Sequence, residues 1–185
     1  MDTAQGRSPG HVSDIFQLAS CLQQATGDAG WSEMERHFAA LAQSLFFTVL
    51  LHDVRSGLLL RVYSNREDIQ GVGGLKRAEG AWATQVISEG SIFRASGPAA
   101  LTQAFANASR LLALGFTKAL NIPVRCHGET LGVLNLIADS ACPMDTWPEA
   151  TCRAYAQLAL GPCLLEHQRW RSELDAAQAG AASPV

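Results

Sequence analysis

The sequence lacks an apolar run long enough to cross a membrane, and it carries little positive charge. A transmembrane helix needs about 20 consecutive, mostly apolar residues, and every apolar stretch here is shorter. The first ten residues, MDTAQGRSPG, also lack the charged and apolar regions of a signal peptide. Lysine and arginine number 14 against 17 aspartates and glutamates, and the net charge of −3 gives no electrostatic reason to expect nucleic acid. We therefore expect a cytoplasmic protein that binds neither nucleic acid nor a membrane.

Motifs of metal-binding and redox-active residues are also missing. The five cysteines form no CxxC pair, and the cysteines and histidines do not have the spacing of metal ligands. An odd number of cysteines without a signal peptide favours reduced thiols over a disulfide framework. The segment GVGG, residues 71–74, has neither the spacing nor the strand–turn–helix setting of a dinucleotide site. The motifs therefore predict no metal site and no dinucleotide site.

The strongest structural signal is a pair of apolar segments around a polar turn, FTKALNIPVRCHGETLGVLNLI, residues 116–137. His127 and Gly128 at its centre are typical of a β-hairpin turn, where glycine supplies a positive φ. Neither arm alternates cleanly between apolar and polar residues, which predicts strands covered on both faces in the middle of a sheet. The exceptions are Asn121 and Asn135, one in each arm.

These two asparagines have two open interpretations. A buried amide without a hydrogen-bond partner costs about 1–3 kcal/mol, so they either brace the sheet or face a pocket. Their relative position depends on the turn. A three-residue loop would place Asn121 opposite Asn135, whereas a two-residue loop would offset them by one position.

Apolar spacing predicts the remaining elements. Repeats of three and four residues predict amphipathic helices over about 13–27 and 31–45. Strands are expected over 46–52, 58–64 and 91–95, a loop over 65–80, a short helix over 81–89 and helical structure over about 98–115. A long final helix is expected from 147 to about 175, with a capping box of Thr146 and Glu149 and a kink at Gly161–Pro162.

This order predicts an α+β architecture with an antiparallel sheet. We expect a single domain over residues 11–175, preceded by a disordered lead-in over 1–10 and followed by a disordered tail over 176–185. Arg61, Arg94, Arg66 and Lys76 are candidates for holding an anion, but a solvated surface position is the simpler interpretation of each.

Several segments together resemble a GAF domain, a small-molecule sensor module related to PAS domains. The resemblance is most specific in LNIPV (120–124) followed by LGVLNL (131–136). FTVLLHDVRSGLLLRVYSN (47–65) looks like the first hairpin of that fold, and DIQGVGGLKRAEGAWATQVISEG (68–90) like its loop and pocket helix. SRLLALGFTKALNIPV (109–124) resembles the helix that leads into the penultimate strands. The similarity covers about residues 31–170.

The resemblance implies a GAF/PAS-like fold, with a central antiparallel sheet of about five or six strands. Terminal helices would cover one face and commonly form a dimer interface, while short helices and the 65–80 loop would enclose a ligand cavity on the other face. The candidate ligand-binding residues on that basis are Tyr63, Trp82, Phe105, Phe116, Asn121 and Asn135.

The leading functional hypothesis is a stand-alone, non-enzymatic sensor that binds a small molecule and signals through its terminal helices as a homodimer. The sequence does not identify the ligand or any cofactor. One alternative is an enzyme of the free methionine sulfoxide reductase type, but segment 65–95 lacks the cysteine that this chemistry needs near the pocket. A covalent bilin photoreceptor would need a pocket cysteine too. A third hypothesis is a structural dimerisation domain whose cavity is filled with side chains.

Overall fold

The computed structural model describes residues 12–25 and 29–181, and a six-stranded antiparallel sheet lies at its centre. The predicted lead-in over residues 1–10 lies outside these ranges. The strands are β1 (Leu45–Asp53), β2 (Leu58–Ser64), β3 (Leu75–Arg77), β4 (Phe93–Ser96), β5 (Lys118–Cys126) and β6 (Glu129–Ala138). They lie in the order β3-β2-β1-β6-β5-β4, so the predicted hairpin, β5–β6, is an interior part of the sheet. The predicted α+β class with an antiparallel sheet is confirmed.

The central hairpin turns through two residues, His127 and Gly128. Both have a positive φ, 49° and 82°, as a type I′ turn requires. A two-residue turn alone would offset Asn121 and Asn135 by one position, yet the two residues are directly paired. The register shifts within the hairpin because Leu131 is an extra residue of β6. This β-bulge restores the pairing that was expected only from a three-residue loop.

Three helices cover one face of the sheet: α1 (Val12–Gln24), α2 (Ala29–Ala39) and α6 (Glu149–Ala181). The core beneath them is aromatic, and Phe38 of α2 packs against Phe47 of β1 and Tyr155 of α6. The hydroxyl of Tyr155 also lies 2.9 Å from Nε2 of His37 in a hydrogen bond that links α6 to α2. Every residue of β1 is buried, since the sheet is covered on both faces.

Short helices cover the other face in two groups. The first group is α3 (Gly80–Ala83) with the π-helical turn Thr84–Ser88, whose Val86 and Ile87 pack on Leu50 and Val133. The second group is α4 (Pro98–Ala104) and α5 (Ala108–Ala113), which pack on Phe46, Phe116 and Ile137. Between the two groups part of the sheet has no helix above it.

Three predicted elements need correction, two of them helical and one a loop. Helix α2 ends at Ala39 rather than near 45, because Leu45 already begins β1. The predicted helical stretch 98–115 is two helices, since Phe105 has an extended backbone with φ −130° and ψ 128° that ends α4. The predicted loop 65–80 contains β3, a three-residue edge strand that pairs with β2.

The final helix also differs from its prediction at both ends. It begins at Glu149, so Thr146 lies too far before the helix to be its N-cap, and the expected capping box does not form. The Thr146 hydroxyl instead donates to the carbonyl of Pro143 at 2.8 Å. The helix contains Pro162 and continues to Ala181, into the segment expected to be a disordered tail. Residues 182–185 lie outside the described ranges. Within those ranges no helix combines the length and apolar character that a membrane span requires.

Candidate ligand cavity

A cavity of about 290 Å³ lies between the two groups of short helices, directly above the sheet. This volume is near the lower end of the range of about 300–1,000 Å³ that is usual for small-molecule sites. Its floor is made by β1, β2, β5 and β6, and its walls by the 65–80 segment, α3 and the α4–α5 connection. The lining residues are Phe46, Thr48, Leu50, Arg61, Gln70, Lys76, Glu79, Trp82, Ala104, Phe105, Ala106, Asn107, Asn121, Asn135 and Ile137.

A chain of hydrogen bonds crosses this floor, and we call its four members, Trp82, Asn121, Asn135 and Thr48, the polar row. Trp82 Nε1 donates to Asn121 Oδ1 at 2.8 Å, and Asn121 Nδ2 donates to Asn135 Oδ1 at 2.9 Å. Asn135 Nδ2 then donates to Thr48 Oγ1 at 3.2 Å. The sheet register produces this row, because Asn135 is paired with Asn121 on one side and with Thr48 on the other.

The polar row combines both interpretations of the two asparagines. Asn121 is only 2% exposed and Asn135 only 9%, and their mutual hydrogen bond braces the sheet across β5 and β6. Both also line the cavity. An amide has two N–H donors and an oxygen with two lone pairs, so each side chain keeps hydrogen-bonding capacity beyond the row. The cavity floor can therefore offer a ligand polar groups that are already fixed in position.

Two cationic side chains, Arg61 and Lys76, also line the cavity. Arg61 of β2 donates to Gln70 Oε1 at 2.7 Å and to the carbonyl of Gly71 at 3.3 Å, which fixes its guanidinium against the 65–80 segment. The ammonium of Lys76 lies over the ring of Trp82, 4.9 Å from its centroid, a favourable cation–π arrangement.

The environment lowers the pKa of both cations. Burial lowers the pKa of Arg61, which nevertheless stays charged at physiological pH. Desolvation also lowers the pKa of Lys76, and the neighbouring charge of Arg61 lowers it further. Two positive charges that lie close enough for Arg61 to lower the pKa of Lys76 make a favourable place for a negative group.

Four of the six predicted site residues line this cavity: Trp82, Phe105, Asn121 and Asn135. Phe105 packs edge-on against Phe93, with ring centroids 6.0 Å apart. Phe116 does not reach the cavity, since it is fully buried in the apolar cluster beneath α4 and α5 and packs against Phe46.

Tyr63 lies on the other side of the sheet and donates its hydroxyl to Glu35 of α2. A β-bulge in β2 accounts for this position. The register of β1 against β2 shifts between the pairs Val49–Tyr63 and Leu50–Arg61, which leaves Val62 as an extra residue. Arg61 and Tyr63 would share a face in a regular strand, but the bulge places Arg61 in the cavity and Tyr63 under the helices.

The sequence-based list of site residues missed several members of the lining. Thr48 had a usable signal, because it is the one polar residue in FFTVLL, residues 46–51. Arg61 is half-buried and lines the cavity, which corrects its interpretation as solvated surface, whereas Lys76 lines the cavity at an exposed position that agrees with that interpretation. Arg94, the other main candidate for holding an anion, instead donates to the carbonyls of Met144 and Trp147 at 2.7 and 2.8 Å and so fixes the segment before α6.

The cysteines occupy other places in the described structure. Cys142, Cys152 and Cys163 are buried, Cys21 and Cys126 are partly exposed, and the cavity lining includes none of the five. Burial raises the pKa of the Cys163 thiol to about 12, and burial also raises the pKa of Cys142 and Cys152. Thiols with raised pKa values are poor nucleophiles at neutral pH.

A larger groove, of about 550 Å³, lies on the outer side of the helical layer, between α1, α2 and the segment after β6. Several of its lining side chains, including Gln17, Arg36 and Ala141, are exposed. It lacks a counterpart of the polar row, in which buried amides and a hydroxyl converge. We therefore regard the cavity above the sheet as the better candidate for a ligand site.

The sequence matches no protein-family model and none of the curated proteins. Its structure, in contrast, resembles many solved structures. A GAF domain from a phosphoenolpyruvate-protein phosphotransferase of Coxiella burnetii matches with a TM-score of 0.65 and 16% identity, over 88% of this chain and 96% of that one. The corresponding Acinetobacter domain matches with a TM-score of 0.61 and 16% identity, over 87% and 96%.

This chain has the GAF fold. A segment of a methyl-accepting chemotaxis protein also matches, with a TM-score of 0.58 and 15% identity over 83% of this chain and 97% of that one. The similarity to a GAF domain predicted from LNIPV and LGVLNL is thereby confirmed at the level of the fold. Structural similarity at identities this low establishes the fold alone.

Proposed function

We propose that this chain is a sensory GAF domain that binds a small molecule in the cavity above the sheet and signals through its terminal helices. The observation that carries the proposal is the polar row beneath open space. Protein interiors are close-packed, and a structural domain has no need of a cavity of about 290 Å³ over buried amides. A ligand that occupies the cavity gives these groups a role.

The sheet itself connects the cavity to the terminal helices. Phe46, Thr48 and Leu50 of β1 line the cavity, while Phe47, Val49 and Leu51 of the same strand belong to the core under α2 and α6. The contact is close at Gly132 of β6, where an added Cβ would lie 3.1 Å from Sγ of Cys163 in α6. A shift of β1 or β6 on ligand binding would therefore displace α6 as well.

We further propose that the output form is a homodimer joined through the terminal helices. These helices carry large apolar side chains that are exposed in the single chain, namely Phe16 of α1, at 68%, and Leu165 of α6, at 59%. Leu164 beside it is also exposed. A second copy is the partner that the paired terminal helices of a sensor domain would favour.

The enzymatic alternative receives no support from the cavity. A methionine sulfoxide reductase needs a nucleophilic thiol near its substrate, and the cavity lining includes no cysteine. The ligand-free dimerisation domain is the alternative that the first experiment has to exclude.

The experiment is native mass spectrometry of freshly purified protein, before and after denaturation, followed by thermal-shift screening with small metabolites. We expect a non-covalent adduct, or a metabolite that raises the melting temperature, whose effect is lost in Ala106→Trp at the rim of the cavity. Ala113→Trp on the exposed side of α5 is the matched control, since Ala113 does not line the cavity. A clean dimer without adduct or ligand response would instead favour the structural domain.

A further inference from the structure

We propose that the cavity accepts a small organic anion, whose carboxylate or phosphate group lies between Arg61 and Lys76 while its neutral part lies against the apolar lining residues and the two asparagines of the polar row. This inference rests on the proposed function, because it names the chemical class of the ligand that the sensor would bind. Three observations support it: the excess of positive charge in the lining, the unused N–H donors of Arg61, and the apolar and amide side chains that form most of the remaining lining.

The charges of the lining are unbalanced. Its ionisable side chains are Arg61, Lys76 and Glu79, two cations against one carboxylate. The ion pairs among the described residues include neither Arg61 nor Lys76. Arg66 and Arg171, in contrast, pair with Asp68 and Asp53. Glu79 is thus the one carboxylate in the described lining, and neither cation of the cavity forms an ion pair with it.

Arg61 also has donors to spare. A guanidinium carries five N–H groups in a fixed planar fork, and Arg61 uses one donor of Nη2 for Gln70 and one of Nη1 for Gly71. Its Nε is buried and has no hydrogen-bond partner among the described residues. A buried donor without an acceptor is unfavourable, and an anion is the ligand that a guanidinium binds best.

The position of Lys76 completes the cationic end. Its contact with the ring of Trp82 holds the ammonium against the lining of the cavity, at a position that is exposed to solvent. Arg61 lies close enough to Lys76 for its positive charge to lower the pKa of the Lys76 ammonium. An anion placed between the two would neutralise this repulsion, which gives the cavity a reason to discriminate between an acid and its neutral analogue.

The other end of the cavity is uncharged. Phe46, Leu50, Phe105 and Ile137 give it an apolar surface, and the polar row offers amide and hydroxyl groups without a net charge. An anion with a compact neutral part satisfies both ends, whereas inorganic phosphate alone would occupy only the cationic one. The small volume excludes large polyanions.

The test is calorimetric titration of the full chain with matched acids and amides at millimolar concentration: benzoate against benzamide, and succinate against succinamide. Inorganic phosphate serves as the probe for a phosphate-bearing ligand. We expect at least one of these anions to bind about tenfold or more tightly than its neutral partner, or phosphate to bind measurably, because hydrogen bonds to charged groups are the stronger ones.

Charge-removing variants locate the binding. Lys76→Met should weaken anion binding about tenfold or more, and Arg61→Met should have a similar effect. Arg77→Met is the control on the same strand, since Arg77 is an exposed residue outside the cavity lining, and it should bind like the wild type. Lys76→Met keeps the test decisive if Arg61→Met fails to fold, because Arg61 also fixes the 65–80 segment.

Two results would overturn the inference: amides that bind as tightly as their acids, or anion binding that survives in both Lys76→Met and Arg77→Met. Failure of every probe to bind would overturn it as well. The proposed function has a separate test. Suppose that Ala106→Trp blocks the binding of a metabolite and Lys76→Met leaves its affinity unchanged. The proposed sensor function would then stand, and only the proposed preference for an anion would fail.

Discussion

Asn135 holds the middle of the polar row and is the residue on which the cavity floor most depends. It accepts a hydrogen bond from Asn121 and donates one to Thr48, so it joins β5, β6 and β1. Both neighbours are buried, at 2% and 3% exposure. A buried polar group left without a hydrogen-bond partner costs free energy of folding.

Replacement of Asn135 by leucine should lower the free energy of unfolding by about 1–3 kcal/mol, since it leaves Asn121 without its acceptor. Thr48→Val at the end of the row is the matched variant and should cost less, because it removes one acceptor and keeps the side chain's shape. Urea unfolding of both variants measures the difference. A fully stable Asn135→Leu protein would show that the row does not brace the sheet.

At the scale of the elements, the contact of α6 with β6 determines how closely the helical layer approaches the sheet. Gly132 lies at this contact. A Cβ there would lie 2.8 Å from the carbonyl oxygen of Leu50 and 3.1 Å from Sγ of Cys163. Both distances are well below ordinary van der Waals separation, and the backbone oxygen cannot rotate away as a side chain could. The absence of a side chain at Gly132 therefore permits the observed packing.

Gly132→Ala should destabilise the protein by about 1–3 kcal/mol, the usual effect of overpacking a core. The matched control is Gly161→Ala, within α6, where an added Cβ meets nothing within 4 Å beyond its chain neighbours. That variant should be destabilised less than Gly132→Ala, because alanine is the better helix former and its Cβ meets only the ring of the neighbouring Pro162, which disfavours the helical backbone at the preceding residue. Thermal and urea unfolding of the pair would contradict this account if Gly132→Ala were the more stable of the two.

The elements also explain which parts of the site were predictable from the sequence. The central hairpin and its two asparagines were predictable because a glycine turn between two apolar runs is a strong local signal. The position of Arg61 and Tyr63 on opposite faces of the sheet was not predictable. Alternation along a strand has a period of two, and one extra residue at Val62 reverses it for everything that follows.

The place of Lys76 in the cavity lining was not predictable for a different reason. It lies in a strand of three residues, Leu75–Arg77, all of them exposed, which is too short to show any periodicity. Its place in the cavity depends on pairing with β2, a tertiary contact that no local pattern encodes. The end of α2 and the missing cap of α6 are likewise decided by what the chain packs against afterwards.

At the scale of the whole molecule, the terminal helices are the surface through which we propose that two copies associate. Light scattering coupled to size-exclusion chromatography should give the mass of a dimer. The double variant Phe16→Glu, Leu165→Glu should shift it to the monomer, because burying two carboxylates against apolar surface is unfavourable. Leu114→Glu, directly after α5 at a position that is 41% exposed, is the control and should remain dimeric. A monomeric wild-type chain would refute the proposal.

The two outer strands of the sheet add a constraint on how copies can meet. An exposed strand edge can recruit a strand from another molecule, and proteins suppress this with short, charged edges. Here β3 has three residues, two of them Lys76 and Arg77, and β4 has four. Neither edge offers enough unpaired backbone to extend the sheet into a neighbouring molecule. The short edges thus protect this chain from edge-to-edge aggregation, and they leave the helices as the surface for the contact between copies that we propose.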